Sequence, residues 1–341
     1  MAMCRSLDLG DHLMASTNPV CRPFSEGDEG AINRAFEDAF GSERSLDEWA
    51  WKFPPEEDGR AIMLTEEDGE VVAHCAGVPV SFSIDGHIWR GARVVDVFFR
   101  PLEQSDTPRE ECLARTIEAF YREFGRSGHF SLMYGFQGLH PDRFEKMGLG
   151  DCASLNESVL SLVRRPPSFS SLRRLRYRAE LARDWEPRLD DLWRRVCHSY
   201  PVAVVRDASH ALYRLAGHPT VRYHRFLLFP RIGSRAVAYA AYSSDGNRCR
   251  WVDLLWDHRH PGALRLLSHL SAKIARQTGA EVEELWLNGD PEGRAHLEAL
   301  GFRNEVDCVG PIMVARAFDH RLDLAELGQR IYLTMADTDQ V

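Results

Sequence analysis

Thr107, Pro108, Arg109, Glu110 and Glu111 stand between a polar loop and an apolar face made by Leu113, Ile117, Phe120 and Phe124. A threonine before a proline reads as an N-cap followed by a first-turn proline, and the two glutamates suit the positive end of a helix dipole. The apolar spacings of 4, 3 and 4 predict a helix over 109–124. The free N–H groups at such a helix start form an anion site. Just upstream, Val94 to Phe99 reads as a buried strand ended by Arg100-Pro101, with one carboxylate, Asp96, inside it. A carboxylate buried in such a strand can have a raised pKa suited to accepting a proton.

The same strand-loop-helix unit occurs a second time. Trp251 to His258, WVDLLWDH, repeats the pattern of Val94 to Pro101 and places Asp253 where Asp96 stands; Leu267, Leu270 and Ile274 then mark the following helix. Trp51 corresponds to Tyr213 at an offset of 162, Asp96 to Asp253 at 157, and Gly148 to Gly301 at 153. Ordered markers with a slowly shrinking offset indicate a tandem duplication of one domain, not a short-period repeat. Two domains of roughly 150 residues fit the chain length. The expected boundaries are 1–163 and 180–341, with an Arg/Pro-rich linker at 164–179. That linker contains the run Arg164 to Arg178, which reads as a solvated connector or, alternatively, a basic docking strip.

Composition narrows the class. With 44% hydrophobic and 27% charged residues, the chain has an ordinary globular balance, and the net charge of −9 disfavours general nucleic-acid binding. Eight scattered cysteines without a C-x-x-C pair point to reduced thiols, a cytoplasmic protein and no metal site. No apolar run approaches the roughly 18 residues of a membrane span, and the first residues lack a signal-peptide pattern. Nucleophile elbow, Walker loop and zinc signatures are absent from the sequence.

The elements expected in order are a strand at 20–24, a helix at 26–40 and a short helix capped by Ser45 with Glu48 three residues on. A meander follows, with hairpin turns at Asp68-Gly69 and Asp85-Gly86. Helix 109–124, strand 130–136, helix 141–147 and a closing strand at 156–163 complete the first half. The second half repeats the order and ends in a strand at 329–335.

This order resembles the GNAT acyltransferase superfamily, specifically its tandem branch, and implies an α/β mixed-sheet fold in two GNAT-like domains. The resemblance rests on Trp49-Ala-Trp51-Lys52-Phe53, Val95-Asp96-Val97-Phe98-Phe99-Arg100-Pro101, Lys146-Met147-Gly148, Val205-Arg206-Asp207, Ala299-Leu300-Gly301-Phe302 and the terminal Tyr332 to Asp339. It implies an N-acyltransferase that moves an acyl group from acetyl-CoA or another acyl-CoA to a small-molecule or peptide amine; from the apolar runs and the net charge, no membrane partner is expected and nucleic acid is disfavoured. It also implies that the strand holding Phe98, Phe99 and Arg100 pairs with the pantetheine arm. The loop and helix start, with Gln104, Ser105, Thr107 and Arg109, would meet the pyrophosphate. The usual loop glycines are missing from Gln104 to Arg109, and Phe144 and Leu297 stand where the family often has a tyrosine acid. Asp96 is then the candidate base and Tyr134 the candidate acid; a purely structural role for the Asp96/Asp253 pair is the competing expectation. The alternatives to transfer are a degenerate GNAT-fold binding or scaffold protein, or another acyl-CoA reaction such as decarboxylation.

Overall fold

The computed structural model describes residues 19–55, 59–100, 109–126, 129–137, 152–155, 159–167, 176–305 and 311–339. Two mixed sheets carry the chain. The first has the strand order β1 (Val20–Pro23), β2 (Ile62–Glu67), β3 (Glu70–Ile84), β4 (His87–Phe99), β5 (Leu132–Gln137), β15 (Ile312–Ala317), β6 (Ala153–Ser154), and β9 (Val202–Val204) also pairs with β3. The second runs β8 (Tyr177–Leu181), β10 (His224–Pro230), β11 (Ala238–Ser244), β12 (Arg248–Trp256), β13 (Val282–Trp286), β7 (Ser161–Arg164), β14 (Arg303–Asn304). The two orders match strand for strand. Each has an antiparallel meander, then one parallel step, β4 to β5 and β12 to β13, then an antiparallel closing strand. The duplication is therefore visible in the topology.

Local chemistry explains most elements. Asp68-Gly69 and Asp85-Gly86 hold φ of 53°, 81°, 49° and 81°, the paired positive values a two-residue hairpin of matching twist requires. Ser45 and Glu48 form the reciprocal capping box that starts helix α2 (Leu46–Lys52), which follows α1 (Glu29–Phe40). In α3 (Arg109–Phe124) the residues Leu113, Ile117, Phe120 and Phe124 are all buried, as their spacing predicts. Strand side chains alternate between faces. Ala61 and Met63 pack on α3, whereas Ile62 and Leu64 pack with Ile32 of α1 and Trp49 of α2. In the second sheet α4 (Arg188–Val196) and α6 (Gly262–Thr278) join one large core, with α5 (Ala208–Ala211) between them in sequence.

Two expectations are corrected. The closing strands are exchanged: 161–164, expected to close the first half, pairs with β13 in the second sheet, and 312–317 closes the first. Alternation and length mark a strand in sequence, but its partner is chosen by the shape of the assembled edge. Arg164 accordingly is not part of a solvated connector. It is buried in an ion pair with Glu283 at 2.8 Å and donates to the carbonyls of Leu300 and Ser268. The tail 329–335 is not a strand. It finishes helix α8 (Leu324–Arg330), which follows α7 (Pro291–Ala299), makes single bridges at Ile331 and Leu333, and turns over Met335–Asp337. Helix 141–147 lies outside the described residues.

Across the seam the duplicated elements meet each other. The Trp51 ring stacks on Tyr213 with centroids 5.7 Å apart. Trp51 Nε1 donates to the Tyr213 carbonyl at 2.9 Å, and Tyr213 Oη donates to the Lys52 carbonyl at 2.8 Å. Equivalent positions in contact place a pseudo-twofold axis there.

Candidate active site

The β4–β5 ladder runs only from Gly91/Leu132 to Arg93/Tyr134. Beyond it β4 continues to Phe99 and β5 to Gln137 without pairing, so the strands part. Gly135 sits at the parting point, where a Cβ would lie 3.1 Å from the Val94 carbonyl oxygen. The hydrogen bond from Arg100 N–H to the Val72 carbonyl fixes which residues of β4 face β3. The main chain of Val97 and Phe99 therefore faces the gap, and among the described residues no side chain bonds to it.

The residues expected to hold a cofactor divide. The Phe98 ring turns away from the gap, stacked on His74 and edge-on to Phe36 and Phe40. Phe99 packs against the α3 core. Arg100 is held at the surface by Asp38 and by Glu70 at 2.8 Å. Arg109 opens α3, but its side chain, together with Gln104, Ser105 and Thr107, lies outside the described residues.

Asp96 departs from the expected base. It sits at φ 50° beside a bulge in the β3–β4 ladder. One carboxylate oxygen takes Lys52 Nζ at 2.6 Å and the other takes Arg44. Burial by itself would raise its pKa, but Lys52 and Arg44 outweigh burial and hold it below the usual carboxylate range. The raised pKa expected from burial in an apolar strand is thus reversed, because two cations arrive from a loop and helix distant in sequence. Asp253 repeats the arrangement. It accepts from Arg206 Nε at 2.9 Å and from Thr334 Oγ1 at 2.9 Å. Arg44 precedes the N-cap Ser45, and Arg206 precedes the N-cap Asp207. A carboxylate–arginine tie between central strand and helix start is therefore duplicated, which favours the structural role.

Tyr134 closes the β4–β5 ladder and is fully buried, donating to the Asp337 carbonyl at 3.0 Å. Burial pushes its phenol pKa well up, so it stays protonated. It lines a cavity of about 230 Å³ between the two halves. From β3 and β4 come Val78 to Ser81 and Arg93; from the other half come Val204, Val205, His210 and Arg214. His210 is partly buried with its Nε2 unpartnered, and burial lowers its pKa to about 3, so the ring is neutral. Sequence reasoning missed Arg93, His210 and Arg214. Arg93 carried one signal, a charged residue between Ala92 and Val94 in an apolar strand.

The second sheet closes the corresponding gap. Its ladder ends at Trp251/Leu285, both buried. Tyr200 Oη donates to the Trp256 carbonyl at 2.9 Å and accepts from Trp256 N–H at 3.1 Å, while Tyr332 donates to the Leu254 carbonyl. The main-chain groups exposed by the parted strands are thereby taken up internally.

Comparison with known proteins agrees with this geometry. Residues 20–125 match the model of an acetyltransferase (GNAT) domain. No curated protein sequence matches the chain. A GCN5-related N-acetyltransferase from Anabaena variabilis superposes with a TM-score of 0.66 at 10% identity, covering 89% of this chain and 73% of that one. One from Kribbella flavida gives 0.63 at 15% identity, covering 88% and 71%. The N-myristoyltransferase of Saccharomyces cerevisiae, solved with myristoyl-CoA, gives 0.56 at 10% identity, covering 88% and 79%. The chain is a tandem GNAT-fold protein. The family-model match covers residues 20–125, and the solved structures share the fold of most of the chain. Among the described residues no helix is long and apolar enough to cross a membrane.

Proposed function

We propose that the protein is an acyl-CoA-dependent N-acyltransferase in which the first sheet seats the cofactor and the second serves as scaffold. The observation that carries this reading is the open gap between β4 and β5, ending at Arg93 and Tyr134 on the floor of the seam cavity. The main-chain groups of Val97 and Phe99, which no side chain among the described residues takes up, suit an amide-bearing arm laid beside the strand. Gln104, Ser105, Thr107 and Arg109 are the proposed donors to its pyrophosphate, at the start of α3. The plugged gap of the second sheet favours the scaffold reading for that half alone.

An acyl thioester supplies the electrophilic carbonyl; the other tasks fall to the chain. Catalysis then rests on positioning an uncharged amine against it at the apex of the gap. The N–C bond forms as the C–S bond breaks, and the amine proton goes to water. Tyr134, held protonated, donates a hydrogen bond, but a phenol with so high a pKa is a poor proton source for a thiolate. The thiolate leaves as the anion, which a thiol pKa near 8.5 permits. Asp96 is the proposed support of Lys52 and Arg44 in place of a base.

Calorimetric titration with acetyl-CoA tests the proposal. One molecule should bind per chain, and Arg109→Glu should weaken binding by about 1.5–3 kcal/mol, the scale of a charged hydrogen bond. Absence of binding by acetyl-CoA and by longer acyl-CoAs would sink the reading.

A further inference from the structure

The buried arginines of this protein are not alike. Arg206 faces Asp253 and Asp337, Arg164 faces Glu283, and Arg44 faces Asp96. Arg93 is 4% exposed and makes no ion pair with a carboxylate among the described residues; Asp339 and Asp337 act on it only at longer range. Its Nη1 reaches only the carbonyls of Thr338 and Ala336, at 3.3 and 3.5 Å, and its Nε is shut from solvent without a hydrogen bond. The nearby carboxylates are engaged elsewhere: Asp337 with Arg206 at 2.6 Å and Asp339 with Lys52 at 2.7 Å. Arg214 is buried beside Arg93 and donates to the same two carbonyls. Two guanidinium groups thus line one cavity. Asp207 is the carboxylate in that lining, and its Oδ1 is engaged as the cap of α5. Burying a cation costs several kcal/mol, and charges held at longer range offset that less well than a direct partner. What Arg93 lacks is a direct, hydrogen-bonded anionic partner, and a ligand carboxylate would be one.

We propose that the seam cavity is the acceptor pocket and that it takes a small amine bearing a carboxylate, with the carboxylate on Arg93. The proposal rests on the acyltransferase reading for the word acceptor, not for the anion site. A carboxylate matches the fork of a guanidinium, and the unbonded Nε leaves one edge of the fork open. His210 Nε2 offers a further neutral contact. The volume of about 230 Å³ falls below the roughly 300–1,000 Å³ of pockets that hold drug-sized ligands, so a compact molecule fits and a folded peptide segment does not. Arg93 and Tyr134 form the last rung before β4 and β5 part. An acceptor anchored there has its amine next to the apex where an acyl group would end.

The test separates the pocket from the chemistry. The full chain, without cofactor, is titrated calorimetrically with acetate, propionate, butyrate and isovalerate, and with their neutral amides. At least one carboxylate should bind about tenfold or more tighter than its amide. Arg93→Met should remove that preference. Val80→Phe, which fills the cavity and keeps both arginines, should abolish binding, and it decides the matter if circular dichroism shows Arg93→Met misfolded. Carboxylates binding no better than amides, or binding unchanged in Val80→Phe, overturns the proposal. In parallel, acetyl-CoA is supplied with leucine or isoamylamine, which differ by the carboxylate alone, and thiol release is followed. Acetyl-CoA binding with no carboxylate preference sinks only the pocket; a carboxylate preference with no acyl-CoA binding sinks only the acyltransferase reading.

Discussion

The two sheets share strand order, helix positions and a duplicated aspartate–arginine tie, yet they treat one feature in opposite ways. Where β4 and β5 part, main-chain groups are left facing a gap and a polar rung, Arg93/Tyr134, opens onto a cavity. Where β12 and β13 part, the rung is Trp251/Leu285 and two tyrosine hydroxyls bond the main chain of Leu254 and Trp256. Buried N–H and C=O groups must be satisfied. A gap can satisfy them with its own side chains, as the second copy does, whereas in the first copy no side chain among the described residues takes up Val97 or Phe99. Duplication thus preserved the frame but not the treatment of the gap.

The largest expected effect bears on the shared frame. Arg206→Met leaves Asp253 and Asp337 buried without a cation and should destabilise the chain by about 3–5 kcal/mol in urea denaturation. Arg44→Met should cost less, because Lys52 still holds Asp96. Equal losses in the two variants would break the distinction between the sites.

The pH dependence sharpens it further. Burial lowers the pKa of His74 to about 4 and of His210 to about 3. Their unfolded values lie near 6.5, so the unfolded chain binds more protons between these limits, and stability rises with pH there. The contribution is fully present above about pH 6.5 and is lost as pH falls toward 4 and then 3. His210→Gln should flatten the lower part of that curve; an unchanged slope in the variant would place His210 in a more solvated setting than the fold gives it.

Smaller changes probe the two gaps directly. Tyr134→Phe should lower turnover by less than about tenfold, below the usual range for a general acid; a larger drop would make Tyr134 the proton donor after all. Tyr332→Phe removes one hydrogen bond from the second gap and should cost about 1 kcal/mol, with acetyl-CoA stoichiometry still one per chain. A second equivalent bound after that change would show that the second gap is closed by Tyr332 alone.

Much of this was legible in the sequence because the signals were local. The Asp-Gly turns, the Ser45 capping box, the α3 face at Leu113 to Phe124 and the repeated strand at Asp96 and Asp253 depend on residues within a few positions of each other. They were read correctly, as was the GNAT-like duplication. What the sequence left open depends on which distant segments meet. Strand 161–164 carries an alternation that fits either sheet, and only the finished edges send it to the second and bring 312–317 to the first. The charge state of Asp96 is set by Lys52 and Arg44, 44 and 52 residues away. The cavity exists because Arg93 and Tyr134 from one half face His210 and Arg214 from the other. Short-range propensity, capping and alternation are fixed by covalent neighbours, so sequence alone determined them. Pairing partners, electrostatic environment and the lining of a pocket are set by contacts across the assembled chain, so only the tertiary structure decided them.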